Sequence, residues 1–133
     1  MWRRALVVSA ALGGSFSCRT LLLFSPPPPW VVEAEAEVRR TRHAFFDRAS
    51  ELVANLDDRV SDAPSLALAL TNACAPEYDA YAKARSVLAG PTDRQRESKR
   101  RALDHPKEKS RAALPIVLAH RAGKPLKRRD YTG

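Results

Sequence analysis

Residues 61–90 read SDAPSLALALTNACAPEYDAYAKARSVLAG, and this stretch decides the fold. Ser61-Asp62-Ala63-Pro64 supplies a capping oxygen followed by a proline in a position that a first helical turn tolerates, so a helix opens here. Leu66, Leu70, Ala73, Cys74, Tyr78, Tyr81, Arg85 and Leu88 then recur three or four residues apart, which lays them along one helical stripe. Gly90 provides a left-handed stop. Pro76 interrupts the pattern: its ring removes a backbone donor and clashes with the preceding turn, so the helix is predicted to kink or split near Ala75.

Toward the N-terminus the same periodicity continues. Val38, Phe45, Ala49, Leu52, Leu56 and Val60 form a second stripe and predict a helix over residues 32–58, with Glu33, Glu35 and Glu37 near its positive end and Glu35 four residues before Arg39. Ahead of it, Ser25-Pro26-Pro27-Pro28-Pro29-Trp30 reads as a polyproline II spacer over residues 25–31, because each proline fixes φ and biases its predecessor toward extended geometry. A PxxP ligand for an aromatic groove is the sharper reading of the same run.

Toward the C-terminus, Thr92 and Gln95 have capping-box spacing and open a further helix. Through His105 it holds few apolar residues, chiefly Ala102 and Leu103, so most of it faces solvent. Pro106 and Pro115 are expected to break it. Between them and Gly123 lies the one apolar patch of this third, residues 112–119, the expected docking point on the first two helices. Residues 124–133 read as a flexible basic tail. With no β-alternation and no repeat, the fold class is all-α: a small three- to four-helix bundle with proline-kinked helices over residues 32–123.

Residues 1–24 are read as a targeting segment outside that fold. Arg3 and Arg4 precede an uncharged run from Ala5 to Cys18, and no carboxylate occurs before Glu33, as in the charged and apolar regions of a secretory signal. Ser15-Phe16-Ser17 fits signal peptidase, with cleavage after Ser17. Cys18 would then lead the mature chain and is a lipidation candidate, although Ser15 stands where lipoprotein signals carry an aliphatic residue. The expected location is the periplasm or cell envelope. Retention as a membrane anchor is one alternative, opposed by the charge at Arg19, and a mitochondrial transit peptide is another if the source is eukaryotic.

The chain of 133 residues has a formal charge of +8, and its distribution matters more than its sum. Residues 1–30 hold three arginines and no acid, residues 31–90 are slightly acidic, and residues 91–133 hold thirteen basic against five acidic side chains. The clusters Lys99-Arg100-Arg101 and Lys127-Arg128-Arg129 are therefore the candidate anion contacts. For an exported protein the matching partner is an anionic membrane surface or an envelope protein. For a retained one it is nucleic acid, bound through salt-dependent phosphate contacts.

The sequence offers little chemistry. His43, His105 and His120 have no second ligand at helical spacing, so no metal site is expected. Asp57 and Asp58 are neighbours, which on a helix diverge by about 100° and cannot share a proton, and a helix-end role is expected of them. Cys74 sits between Ala73 and Ala75 on the apolar stripe without a nearby cation, as a packing thiol does. Tyr78 and Tyr81, with Lys83 and Arg85, form either an aromatic and basic face or a core edge. There is no Gly-rich phosphate loop. No cofactor is implied and no catalysis is expected.

Leu56-Asp57-Asp58 with Ser61-Asp62-Ala63, then Cys74-Ala75 and Tyr78, then Ile116-Val117-Leu118 with Arg121-Ala122, resembles a loose group of small uncharacterised exported α-helical proteins of proteobacteria. The resemblance spans roughly residues 44–122. It implies a second cysteine in the first helix as partner to the later one, and Ala44-Phe45-Phe46 offers none. It implies no activity. The function expected from all of this is a non-enzymatic accessory or interaction protein of the cell envelope, the alternative being a small nucleic-acid-binding protein that uses the basic C-terminal third.

Overall fold

A computed structural model describes residues 25–127. The leader, Cys18, Arg128 and Arg129 lie outside the described residues. Within them the fold is all-α, as expected, with five helices: α1 (Pro29–Leu56), α2 (Ala63–Ala73), α3 (Ala75–Val87), α4 (Asp93–Asp104) and α5 (Pro106–Arg121). No described helix is long and apolar enough to cross a membrane. The count exceeds three or four because prolines divide what periodicity alone joins. Pro76 separates α2 from α3 at Cys74, and Pro106 separates α4 from α5 at His105.

Several element boundaries differ from those expected. The spacer expected over residues 25–31 stops at Pro28, since Pro29 and Trp30 already belong to α1. Pro29 occupies the first helical position, where a missing N–H costs nothing. At its other end α1 stops at Leu56, not residue 58, and Val60 is 89% exposed in the connection. Pro115 does not break α5 but lies within it. Its ring is on an exposed position, where water can satisfy the carbonyl that loses its helical partner.

Local chemistry sets the remaining ends. Asp62 caps α2 through the Ser65 amide, Thr92 and Gln95 form a complete capping box on α4, and His105 caps α5 by accepting from the Lys107 amide at 3.2 Å. Beyond α5, Gly123 adopts φ 64°. The Lys124 amide donates to Ala119 O at 3.0 Å and the Gly123 amide to His120 O at 3.1 Å, a Schellman closure. That closure returns the chain to the bundle, so Leu126 packs against the core instead of joining a free tail.

The core joins all five helices. Helix α2 packs most extensively on α5, and α1 on α3. Phe45, Ala49 and Val53 from α1 meet Leu66, Leu70, Cys74, Tyr78 and Ala82, closed by Leu103, Ala113, Ile116 and Val117. Two hydroxyls tie the layers. Tyr78 donates to Leu103 O at 2.6 Å, and the Thr71 hydroxyl lies 2.7 Å from Lys109 O. Cys74 is fully buried as the expected packing thiol, and burial pushes its thiol pKa up.

The connection from α1 to α2 is a carboxylate turn. Arg59 takes φ 60°, rare for a residue with a side chain, and its amide donates to Asp57 Oδ1 at 3.0 Å. Arg121 spans the bundle to the same carboxylate at 2.9 Å and to Ser61 O at 2.7 Å, so the end of α5 clamps the turn. Asp58 accepts from the Ser61 hydroxyl at 2.6 Å, the Ser61 amide at 2.8 Å and the Val60 amide at 2.9 Å. Those bonds, the hydroxyl first, hold its carboxyl down to about 2. A depressed carboxylate contributes stability above its ordinary pKa of 3.8 and loses it as pH falls through the folded value. Asp58→Asn is therefore expected to remove part of the stability lost between about pH 4 and pH 2, flattening that limb in urea denaturation at a series of pH values. An unchanged acid limb would refute the assignment.

Candidate functional site

Phe45 of α1 meets Tyr78 of α3 edge to face, with centroids 5.6 Å apart, and stacks nearly parallel to Tyr81 at 6.3 Å. The i, i+3 spacing of the two tyrosines on α3 places both rings against one phenylalanine, which aromatic geometry favours. Tyr78 is buried at 2% exposure, whereas Tyr81 is only half-buried. Core edge and aromatic face, the two readings of this pair, are thus each half realised: Tyr78 is core and Tyr81 is face.

Above the rings α1, α3 and α5 leave a groove of about 570 Å³. Phe45, Tyr78 and Tyr81 form part of its lining, Val38, Ala112, Pro115 and Ile116 supply aliphatic surface, and Arg42, Arg85, Arg111 and Glu108 supply charge. The volume is within the roughly 300–1,000 Å³ of ordinary ligand pockets. The Arg85 guanidinium sits 5.6 Å from the Tyr81 ring centroid and 3.4 Å from its hydroxyl. Arg111 and Glu108 neutralise one another at 2.8 Å. Arg85 has no carboxylate partner among the described residues, so it holds a positive charge at the edge of an aromatic surface.

Burial keeps the Tyr78 phenol neutral. Burial, with Tyr81 nearby, pushes Tyr78 up to about 12, and its proton is committed to Leu103 O. Tyr78 is consequently a poor acid or base near neutrality. The groove offers apolar surface, stacked rings and guanidinium, groups suited to binding an anion that carries an apolar body.

The residues expected to contact anions are arranged differently. Lys99, Arg100 and Arg101 lie on α4, and Lys127 is exposed on the chain beyond α5. Arg100 reaches Asp79 at 3.6 Å and Asp104 at 3.8 Å, and Arg101 bonds Glu97 at 2.9 Å. Lys99 lines a shallow depression with Ala89, Arg94, Gln95, Ser98 and Ala102. Two of three charges in this cluster are therefore shared with carboxylates. His120 lies 3.5 Å from Asp57, and no group of three or more potential ligands among the described residues is placed to hold a metal ion.

Sequence reading missed Phe45, Arg42 and Arg111 as partners of the Tyr81 face. They are remote in sequence from Tyr78, Tyr81 and Arg85, which gave the local signal. Among the described residues, fold and groove together define an all-α arrangement of five helices with an arginine-rimmed aromatic groove. No family profile, curated protein or solved structure matches this chain.

Proposed function

We propose that this chain is a non-enzymatic accessory or interaction protein of the cell envelope, working through the groove between α1, α3 and α5. The observation that carries the groove half is Arg85 seated over Tyr81 at 5.6 Å with no carboxylate partner among the described residues, because a guanidinium at an aromatic edge invites an incoming anion. The leader supports the location: two arginines, an uncharged run and a small-any-small tripeptide at residues 15–17. Nucleic-acid binding through residues 94–129 has less support, since Arg100 and Arg101 are engaged by Asp79, Asp104 and Glu97.

Fractionation of cells expressing the full chain with a C-terminal tag tests the location. The tagged product is expected in the periplasmic or envelope fraction, and its intact mass distinguishes a cut after Ser17, a retained leader and acylation at Cys18. A full-length product confined to the cytosol would overturn the proposal.

A further inference from the structure

The groove has an unequal character: its lining is aromatic and aliphatic, and its charge is mostly of one sign. Arg111 is engaged by Glu108, the single carboxylate of the lining, whereas Arg85 has no carboxylate partner among the described residues. A purely apolar occupant would cover the Tyr81 edge and partly desolvate Arg85 without a counter-charge, which carries a penalty. The chain's own leader is a poor occupant as well, since its charges are Arg3, Arg4 and Arg19, of the same sign as the rim. A cationic partner fails for the same reason. Charge complementarity selects an occupant with an apolar body and an anionic head, and about 570 Å³ suits one chain of such a molecule.

We propose that the groove binds a single-chain anionic amphiphile, a fatty acid or a lysophospholipid, with the acyl chain along Val38, Tyr81, Ala112 and Pro115 and the carboxylate or phosphate against Arg85. Arg85 suits that role because a planar guanidinium pairs with either anion through two parallel hydrogen bonds, and the Tyr81 ring holds it beside the opening. This assignment rests on the reading of the groove as the working surface. It does not depend on where the protein resides.

The test is titration of the purified full product with palmitate, palmitoyl lysophosphatidic acid, hexadecanol and hexadecyltrimethylammonium below their micellar concentrations, read by displacement of a dansylated fatty acid. Saturable one-to-one binding of at least one anionic ligand is expected, about tenfold or more tighter than hexadecanol, since a charge-assisted hydrogen bond is of that size. Binding of palmitate alone identifies a free fatty acid, and binding of the lysophospholipid alone identifies a phosphate head group. Arg85→Gln should weaken the anionic ligands about tenfold and leave hexadecanol unchanged, while Arg94→Ala on α4 changes neither. Circular dichroism shows whether each variant is folded. Should Arg85→Gln not fold, the ligand series on the parent protein still decides.

Equal affinity for hexadecanol or the cationic chain, or no saturable binding by the folded parent, overturns the assignment, as does a folded Arg85→Gln that binds like the parent. Envelope location without amphiphile binding would remove the ligand and spare the location, and cytosolic retention with binding would do the reverse.

Discussion

Tyr78→Ala is expected to cost about 3–5 kcal/mol of unfolding free energy, enough to lower Tm by about 15 °C or more in a domain of this size. The ring is 2% exposed, contacts Phe45 edge to face and belongs to a core that joins every helix. Its hydroxyl has a separate duty. Helix α4 ends at Asp104, and the Lys107 amide, which would serve the Leu103 carbonyl in a continuing helix, instead donates to His105 Nδ1. Leu103 O is thus one of the carbonyls that a helix end leaves without a partner, and Tyr78 fills it at 2.6 Å. Tyr78→Phe isolates that bond and should cost about 1–2 kcal/mol, the penalty of a buried acceptor left unmade. Urea denaturation followed by circular dichroism measures both variants. A Tyr78→Phe protein as stable as the parent would show that the α4 carbonyl finds water instead.

Leu70→Ala should destabilise by about 2–5 kcal/mol, the range for a fully buried leucine whose neighbours cannot collapse into the gap. Leu70 is 0% exposed on α2, the helix most extensively packed on α5, so the cavity would open inside the shared core. Leu118→Ala is the matched control. Leu118 belongs to the apolar patch of α5 but is 53% exposed, and its removal should change stability by no more than about 0.5 kcal/mol. Equal effects of the two substitutions in the same denaturation experiment would mean that α5 docks on a different face.

That patch illustrates how far the sequence could be read. Residues 112–119 are legible as a docking segment by composition, yet composition cannot say that Ala113, Ile116 and Val117 face inward while Leu118 faces out. Face depends on which side α2 lies. Pro115 is a similar case. A proline predicts a break, and whether the helix tolerates it depends on whether water can reach the carbonyl it strands, a tertiary property. Pro76 and Pro106 behave as their chemistry dictates because each can occupy the first turn of a new helix.

The candidate site was legible only in its local part. Tyr78, Tyr81 and Arg85 signalled themselves through helical spacing, whereas Phe45, Arg42 and Arg111 are joined to them only by the packing of α1 and α5 on α3. Charge was misleading in the other direction. Lys99-Arg100-Arg101 is the conspicuous basic run in the sequence, but Asp79, from another helix, and the local carboxylates Glu97 and Asp104 take up two of its three charges. Arg85, outside any basic run, has no carboxylate partner among the described residues.

By itself the sequence determined the helical class, the capping of α2 and α4 and the break at Pro76, because these follow from interactions within four residues of one another. Tertiary structure alone decided that Tyr78 serves the end of α4, that Arg121 clamps the turn after α1, and that three helices enclose an arginine-rimmed groove. Each of those depends on side chains far apart in the chain, and helical periodicity specifies which residues share a stripe without specifying what the stripe meets.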